Sequence, residues 1–548
     1  MQRDTLKKYY IVHSWVGVIT GILMFVIAFS GAVSVFGSPE LKLWTNPVLH
    51  RDIVIDPATI DELTKRYGAE IGDEYKHEVL VLMPGASAYG DFRLLFMTEH
   101  GENERMELLN FDPQTLELKQ RIEGTREEVD AQQTLDMESF ITHFHADLHL
   151  GRLGQILTGL LGLTLMASIV SGLIIHRKIF KEMLVFRPFR SLRLMLTDTH
   201  KVLSVWGILF HGMIGFTGAF LGLATVILLP AAAFVSFEGD QEKLFETFQP
   251  ERMPELSGEA ADMQIDKVLA HSLASGAVTR SITIMGWGDK NALAFVDTVS
   301  REGREGDDIA AQTNVYRLDS GEFQQGGTTF SRVGGVSGPV LDVMFPLHFG
   351  SFGGPIVRIV WGLLGLSTAL IAVTGVMIWV ERRAYGAEGK LAPHTYMRLS
   401  KLTIGSCSGM VLATVALFWL QRLAPDHVVS GFFTVWLASI ATAFAIKNNY
   451  QSNRLFLALS GALLMGLPVL DALVLEQHLF NSGSGTHTHL AIIEATLMGC
   501  GALLLHVARL LPSQRPTQKQ KTSGSRAASQ GESVDSADPS VDCLSKVS

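Results

Sequence analysis

Charged residues are scarce in this chain. Of its 548 residues, 18% are charged and 47% are hydrophobic, whereas soluble chains carry roughly 25% charged residues. This shortage argues against a purely soluble protein. The formal net charge is −9, and a nucleic-acid binder needs a basic face. We therefore expect no nucleic-acid partner.

Cysteine is also scarce, and it occurs in no recognisable pattern. The three cysteines are Cys407, Cys500 and Cys543, and no CxxC pair is present. None of them lies in the long polar loops at 37–142 and 237–347. This excludes a disulfide framework and a zinc or redox site built on paired cysteines.

Long apolar runs are what the chain has instead. About 20 consecutive apolar residues span a bilayer, and eight such runs lie at 11–36, 153–175, 202–234, 356–380, 402–420, 432–446, 455–475 and 490–511. The pattern predicts an α-helical integral membrane protein, in contact with lipid, with about eight transmembrane helices. Lys and Arg cluster on one side of these runs, which predicts that both termini are cytoplasmic.

Two long polar segments, 37–142 and 237–347, then face outward, and both are acidic. Each is long enough for a small domain. Each is predicted to contain a helix followed by short strands. A turn begins at Asp112 in the first segment and at Asp319 in the second. We interpret them as two small α+β modules in outer, periplasmic positions.

The predicted organisation divides the chain at the ends of these modules. The divisions are helix 1 (1–36), the first module (37–142), helices 2 and 3 (143–236), the second module (237–347), helix 4 (348–385), helices 5–8 (386–511) and a disordered cytoplasmic tail (512–548).

Histidine is the unexpected residue type, because imidazole in a membrane protein usually has a purpose. The chain has 18 histidines. His13 and His200 fall on the cytoplasmic side of the predicted helices, and His145 and His348 fall on the outer side. Two pairs at two depths are what two haems with paired axial imidazoles require. The pattern therefore predicts haem ligation through these histidines.

The pairing stays open at this stage. Two haems at the extreme surfaces would be too far apart for quick electron transfer, and His211, at an intermediate depth, is an alternative to His200 or a member of a second pair. His149 follows His145 by one helical turn and is expected to share its helix face, which makes it an alternative outer ligand. For each histidine alone, the alternative is a side chain solvated among lipid headgroups or hydrogen-bonded in a helix interface.

The four histidine-bearing segments resemble the PepSY-associated transmembrane family. The resemblance rests on "HSWVGVITGILMFVIAFSGAV", "FHADLHLGRLGQILTGLLGLTLMASIVSGLIIHRK", "THKVLSVWGILFHGMIGFTGAFLG" and "PLHFGSFGGPIVRIVWGLLGLSTALIAVTGVMIW". In the matching positions stand His145, His200 and His348. The resemblance covers roughly residues 1–385, and the two polar segments resemble PepSY domains. Helices 5–8 and His211 lie outside the common pattern.

The resemblance implies a function. Members include iron-regulated inner-membrane proteins and reductases of ferric siderophores, so the resemblance implies b-type haem, with two haems expected, in a four-helix core of a bacterial inner-membrane protein. It also implies reduction of a ferric siderophore in the periplasm, with release of iron. No GxGxxG follows a predicted strand, so the electron donor is expected to be quinol or a separate reductase.

Two other functions compete with a reductase. Acidic residues within apolar runs, Asp471 and Glu494, favour an iron or siderophore permease. The PepSY-like segments are also compatible with a membrane regulator that has no enzymatic activity.

Overall fold

The computed structural model is mostly helical, with one antiparallel sheet. It describes residues 3–45, 55–84, 91–99, 104–133, 135–176, 178–187, 191–240, 243–244, 254–300, 312–328, 337–385, 391–475 and 486–514. Most of the predicted tail, 512–548, lies outside the described residues. Seven described helices are long and apolar enough to cross a bilayer, and a bent pair of helices makes an eighth span. The predicted fold class is confirmed.

Helices make up most of the structure, and the membrane-spanning ones form because apolar segments in lipid must satisfy their backbone hydrogen bonds internally. In chain order the helices are α1 (Arg3–Ser34), α2 (Lys42–Thr45), α3 (Pro57–Glu70), α4 (Arg126–Gln132), α5 (Met137–Asp147), α6 (Gly151–Ile175), α7 (Ile179–Glu182), α8 (Leu192–Trp206), α9 (Ile208–Leu223), α10 (Leu229–Phe237), α11 (Ile265–Ala274), α12 (Ser337–Phe349), α13 (Gly354–Ala384), α14 (Pro393–Leu423), α15 (Val428–Ala445), α16 (Asn449–Val474) and α17 (Thr486–Leu510).

Several predicted spans are interrupted. Helices α8 and α9 bend by 74° at Gly207, so the third span is not one straight rod. Between α5 and α6, Leu148 and His149 have φ values of 56° and 55°. A right-handed helix cannot continue through left-handed residues. His145 therefore lies on a short helix of its own, and His348 does so on α12.

The two polar segments join in one eight-stranded antiparallel sheet. Its strands are β1 (Glu78–Leu82), β2 (Phe92–Met97), β3 (Arg105–Phe111), β4 (Leu118–Thr125), β5 (Ala277–Met285), β6 (Leu293–Ser300), β7 (Gln312–Arg317) and β8 (Phe323–Thr328). The strand order is β4-β3-β2-β1-β5-β6-β7-β8. The first strands of the two modules pair with each other, with Leu80 opposite Thr283. The modules are thus joined edge to edge.

Each module contributes an amphipathic helix to a shared core. Ile60 of α3 and Val268 of α11 are buried in the same apolar cluster as Val79 and Ile282 of the central strands. The predicted turn at Asp112 is present, and its carboxylate accepts the backbone N–H groups of Thr115 and Gln114. Together with nearby Lys119, these bonds lower the pKa of Asp112 to about 2.

A buried ion pair fastens the last four spans to the rest of the molecule. Arg422, at the end of α14, donates from Nε to Asp471 Oδ1 of α16 at 2.8 Å, and both side chains are buried. Its other nitrogens donate to the carbonyls of Trp44 and Thr45 in α2. The Trp44 indole donates to the second Asp471 oxygen at 3.2 Å. Asp471 is therefore fully paired, and it joins three helices.

We expect Arg422→Met to destabilise the protein strongly. Removing one partner of a buried pair leaves an uncompensated charge, which costs about 3–5 kcal/mol. Thermal denaturation of the detergent-solubilised protein measures the effect as a lowered midpoint. Arg66→Met is the control, because Arg66 forms a solvent-exposed pair with Glu70 at 3.9 Å, and such pairs contribute roughly 0–1 kcal/mol. Equal midpoints for the two variants would contradict the assignment.

Candidate functional site: two histidine pairs

The structure brings four of the five predicted site histidines together in two pairs. His13 of α1 and His200 of α8 have ring centroids 6.3 Å apart, with an angle of 84° between the ring planes. His145 of α5 and His348 of α12 have centroids 6.1 Å apart, with an angle of 26°. We call the first the sheet-distal pair and the second, which borders the modules, the sheet-proximal pair.

The fifth histidine and the alternative ligand lie elsewhere. His211 Nε2 is 3.1 Å from the Ser367 hydroxyl, and its ring meets Phe210 edge to face. His149 is stacked on Phe140 and is hydrogen-bonded to the Phe140 carbonyl at 3.1 Å. The expectation that His149 shares a helix face with His145 is wrong, because α5 ends at Asp147 and His149 has a left-handed backbone.

Each paired histidine is held through Nδ1. In the sheet-distal pair, His13 Nδ1 lies 3.1 Å from both the Ser168 carbonyl and the Ser171 hydroxyl of α6. His200 Nδ1 lies 3.0 Å from the Ile371 carbonyl and 3.3 Å from the Thr374 hydroxyl of α13. The Nε2 atoms remain for another ligand.

The sheet-proximal pair repeats this arrangement. His145 Nδ1 lies 2.9 Å from the Ile27 carbonyl and 3.5 Å from the Ser30 hydroxyl of α1. His348 Nδ1 lies 2.9 Å from the Thr217 hydroxyl of α9. Among the described residues, no hydrogen bond is formed by the Nε2 atoms of the four paired histidines.

A glycine follows each of these hydroxyl residues, and a histidine ring packs against it. A Cβ atom would lie 2.6 Å from His145 Cε1 at Gly31, 3.2 Å from His348 Cε1 at Gly218, and 3.3 Å from a ring carbon of His13 or His200 at Gly172 or Gly375. A glycine at these positions lets the ring approach the neighbouring helix closely.

The two α+β modules repeat one order of elements in the sequence, and these contacts extend the repeat to the histidine-bearing helices, which the sequence interpretation missed. Ser30 follows His13 by 17 residues, and Thr217 follows His200 by 17. Ser171 follows His145 by 26 residues, and Thr374 follows His348 by 26. Each half of the chain therefore supplies one histidine to each pair, as it supplies half of the sheet. A Ser-Gly or Thr-Gly dipeptide at fixed distance from histidine was the signal available in the sequence.

The depth between the pairs follows from α1, which contacts both. His13 belongs to the sheet-distal pair, and the residues that contact His145 begin at Ile27 and end at Gly31. At about 1.5 Å per residue, the two levels are separated by about 21–27 Å. His145 is not at the extreme end of the span, because the break after α5 lets it fold back beside α1.

The donor set of each pair suits haem iron better than a bare metal ion. Zinc sites take three or four protein ligands, and the described residues contain no cluster of three or more His, Cys, Asp or Glu side chains arranged for a metal. Haem supplies the remaining ligands from its own macrocycle, so that two imidazoles would complete the set.

The spacing of the rings fits the same group. With a metal–nitrogen bond of about 2.0 Å and a ring nitrogen about 1.1 Å from its ring centre, two imidazoles on opposite sides of one ion have centroids about 6.2 Å apart. The observed separations are 6.3 and 6.1 Å. The residues present therefore fit two bis-imidazole sites.

Residues 10–382 match the family described as the PepSY-associated TM region. The chain belongs to this family. The matched segment contains both histidine pairs and both halves of the sheet, and α14–α17 lie beyond it. The resemblance stated from the sequence is thus confirmed, and this PepSY-associated protein is a multi-pass membrane protein.

This chain is also similar to an uncharacterised protein of Pseudomonas aeruginosa. The two are 26% identical over 394 residues, which cover 67% of this chain and 93% of the relative. The similarity therefore extends over nearly the whole relative.

Proposed function

We propose that this chain is a dihaem transmembrane reductase, which carries electrons across a bacterial inner membrane to a ferric siderophore in the periplasm. The observation that supports it most is the presence of two imidazole pairs, each spaced for one metal ion. His13 and His200 would hold one b-type haem, and His145 and His348 would hold the other. When bound, each haem accepts and passes on one electron at a time.

The chain's own residues hold the ligands in place. Each Nδ1 is bonded to an acceptor on a neighbouring helix, so each ring is oriented before a cofactor arrives. Second-shell bonds of this kind fix ring orientation and raise ligand basicity. The two levels lie along α1, which therefore links the two faces of the membrane.

The acidic modules would face the periplasm, with both termini in the cytoplasm, and would receive the ferric chelate. One electron converts Fe(III) to Fe(II), which is held less well by hard oxygen ligands, and iron is released. The sequence has no dinucleotide-binding fingerprint, so quinol or a separate reductase is proposed as the donor.

The permease alternative has lost one of the two acids that favoured it, Asp471, while Glu494 of α17 is buried in the described structure. Asp471, which favoured ion transport when read in the sequence, is paired with Arg422 and Trp44. An acid that is neutralised by a buried cation serves helix packing. A regulator without enzymatic activity remains the other candidate, and haem content distinguishes it.

Purified full-length protein tests the proposal. We expect two haems per polypeptide by pyridine haemochrome, a Soret band that shifts on reduction with dithionite, and reoxidation when an anaerobic sample receives a ferric siderophore. The gallium-loaded form of the same siderophore is the control, because Ga(III) does not accept an electron under these conditions. A colourless preparation from haem-replete cells would refute the reductase, and reoxidation by neither chelate would refute the ferric substrate.

A further inference from the structure

The hydroxyl groups beside the four histidines have only one hydrogen each, and each already donates it. Ser171 donates to the Ala167 carbonyl at 2.7 Å, and Thr374 donates to the Leu370 carbonyl at 2.6 Å. Ser30 donates to the Val26 carbonyl at 2.8 Å, and Thr217 donates to the Met213 carbonyl at 2.8 Å. The hydroxyl oxygens can therefore only accept from the imidazoles.

The protonation of each ring follows from this. Every partner of Nδ1 is a carbonyl oxygen or a hydroxyl oxygen whose hydrogen is in use, so Nδ1 must carry the hydrogen. The lone pair then lies on Nε2, which is the nitrogen that a metal needs. The Ser/Thr-Gly dipeptides thus select one tautomer at all four positions.

The two pairs nevertheless differ in orientation. The sheet-distal rings are nearly perpendicular, at 84°, and the sheet-proximal rings are nearly parallel, at 26°. In low-spin ferric haem, perpendicular axial planes leave two iron d orbitals nearly equal in energy and give a highly anisotropic electron paramagnetic resonance (EPR) signal. Near-parallel planes separate those orbitals and give an ordinary rhombic signal.

We infer that the four Ser/Thr-Gly dipeptides are positioning residues that make the two haem sites electronically different. This inference rests on the proposed function. The dipeptides fix each ring at a set angle, perpendicular in the sheet-distal site and near-parallel in the sheet-proximal site. Second-shell hydrogen bonding to the axial ligands is one of the features by which a protein tunes haem.

The sheet-proximal site is the more sensitive of the two to a single substitution. Three of the histidines have a backbone carbonyl as well as a hydroxyl beside Nδ1. For His348, Thr217 is the Nδ1 partner among the described residues. Thr217→Val therefore removes the acceptor, whereas Thr374→Val leaves the Ile371 carbonyl in place beside His200.

The first test is the EPR spectrum of the oxidised wild-type protein. We expect one highly anisotropic and one rhombic low-spin signal in equal amounts. Two haems with signals of one type would overturn the inference and leave the proposed function intact. A protein without haem, as measured by pyridine haemochrome, would overturn both.

The second test compares the midpoint potentials of three variants. Thr217→Val should change the rhombic signal alone and raise that midpoint, because losing the Nδ1 bond lowers imidazole basicity and favours Fe(II). We expect about a tenfold change in the oxidised-to-reduced ratio, or about 59 mV for one electron. Thr374→Val should alter only the highly anisotropic signal and shift its midpoint by less than Thr217→Val shifts the other, because the Ile371 carbonyl still holds His200. Thr217→Ser should behave as wild type.

The other two possible results for Thr217→Val also decide whether the dipeptides position the rings. Loss of the rhombic haem from Thr217→Val, with retention in Thr217→Ser, also supports the positioning role. Wild-type spectra and potentials in Thr217→Val would overturn it.

Discussion

Replacing His145 or His348 by alanine should lower the haem content of the purified protein from two per chain to one. Both substitutions remove a ligand from the sheet-proximal pair, whose rings stand 6.1 Å apart. A single imidazole leaves the iron with one open axial position, and the site loses its opposed geometry. The remaining haem should keep the highly anisotropic signal, because the sheet-distal pair is intact. Pyridine haemochrome and EPR spectra measure the two effects.

Two other histidines provide matched controls. His211→Gln keeps a side-chain partner for Ser367, and His149→Asn places a residue that tolerates left-handed backbone at φ 55°. Both variants should retain two haems. If His145→Ala and His348→Ala keep two haems with an unchanged Soret band, the sheet-proximal assignment is wrong. Loss of a haem from His211→Gln would instead make His211 a ligand.

Much of the helical architecture is predictable from the sequence, because lipid imposes one rule on every span. An apolar run of sufficient length must be helical, and the runs at 11–36 and 356–380 correspond to α1 and α13. The side of the membrane on which each histidine falls favoured the grouping of His13 with His200 and of His145 with His348, with His149 and His211 as alternatives. The structure places these rings together; haem binding itself stays a prediction.

The breaks in the spans were not predictable from hydropathy. Residues 143–175 were interpreted as leading directly into helix 2, yet Leu148, His149 and Gly151 all have positive φ. Two of these three are not glycine, so composition gives no warning. The break shortens the distance between the two histidine levels, and it removes the need for His211 as an intermediate.

The pairing of the two modules into one sheet could not be predicted from the sequence either. Each module has its own alternating strands, and nothing local shows that β1 pairs with β5. Edge strands expose unpaired backbone groups, and each module covers the first strand of the other. The same two-part logic appears in the membrane, where each half supplies one imidazole to each pair.

Gly31→Ala should be the most damaging of the glycine substitutions and should abolish the sheet-proximal haem. A Cβ at position 31 would lie 2.6 Å from Cε1 and 3.0 Å from Nδ1 of His145. The ring cannot easily retreat, because Nδ1 is bonded to the Ile27 carbonyl at 2.9 Å on the same helix. The added methyl group therefore either breaks that bond or turns the ring away from His348. Haem content should fall to one per chain, with loss of the rhombic signal.

The matched control lies on the same helix. Gly17 has no atom within 4 Å of the Cβ position, and alanine is favoured over glycine within a helix by roughly 1 kcal/mol. Gly17→Ala should therefore keep both haems. Haem loss from both variants would mean that α1 tolerates no added side chain, and the ring contact would then not be the cause.

The other three glycines should follow the order of their contact distances. Alanine at Gly218 would place its methyl group 3.2 Å from His348 Cε1, and alanine at Gly172 or Gly375 would place it 3.3 Å from His13 or His200. These distances require a shift of a few tenths of an ångström, which turns a ring without expelling it. We therefore expect two haems in all three variants, with an altered EPR signal only from the centre that the substituted glycine contacts. A change in the opposite centre would show that the two sites are not held independently.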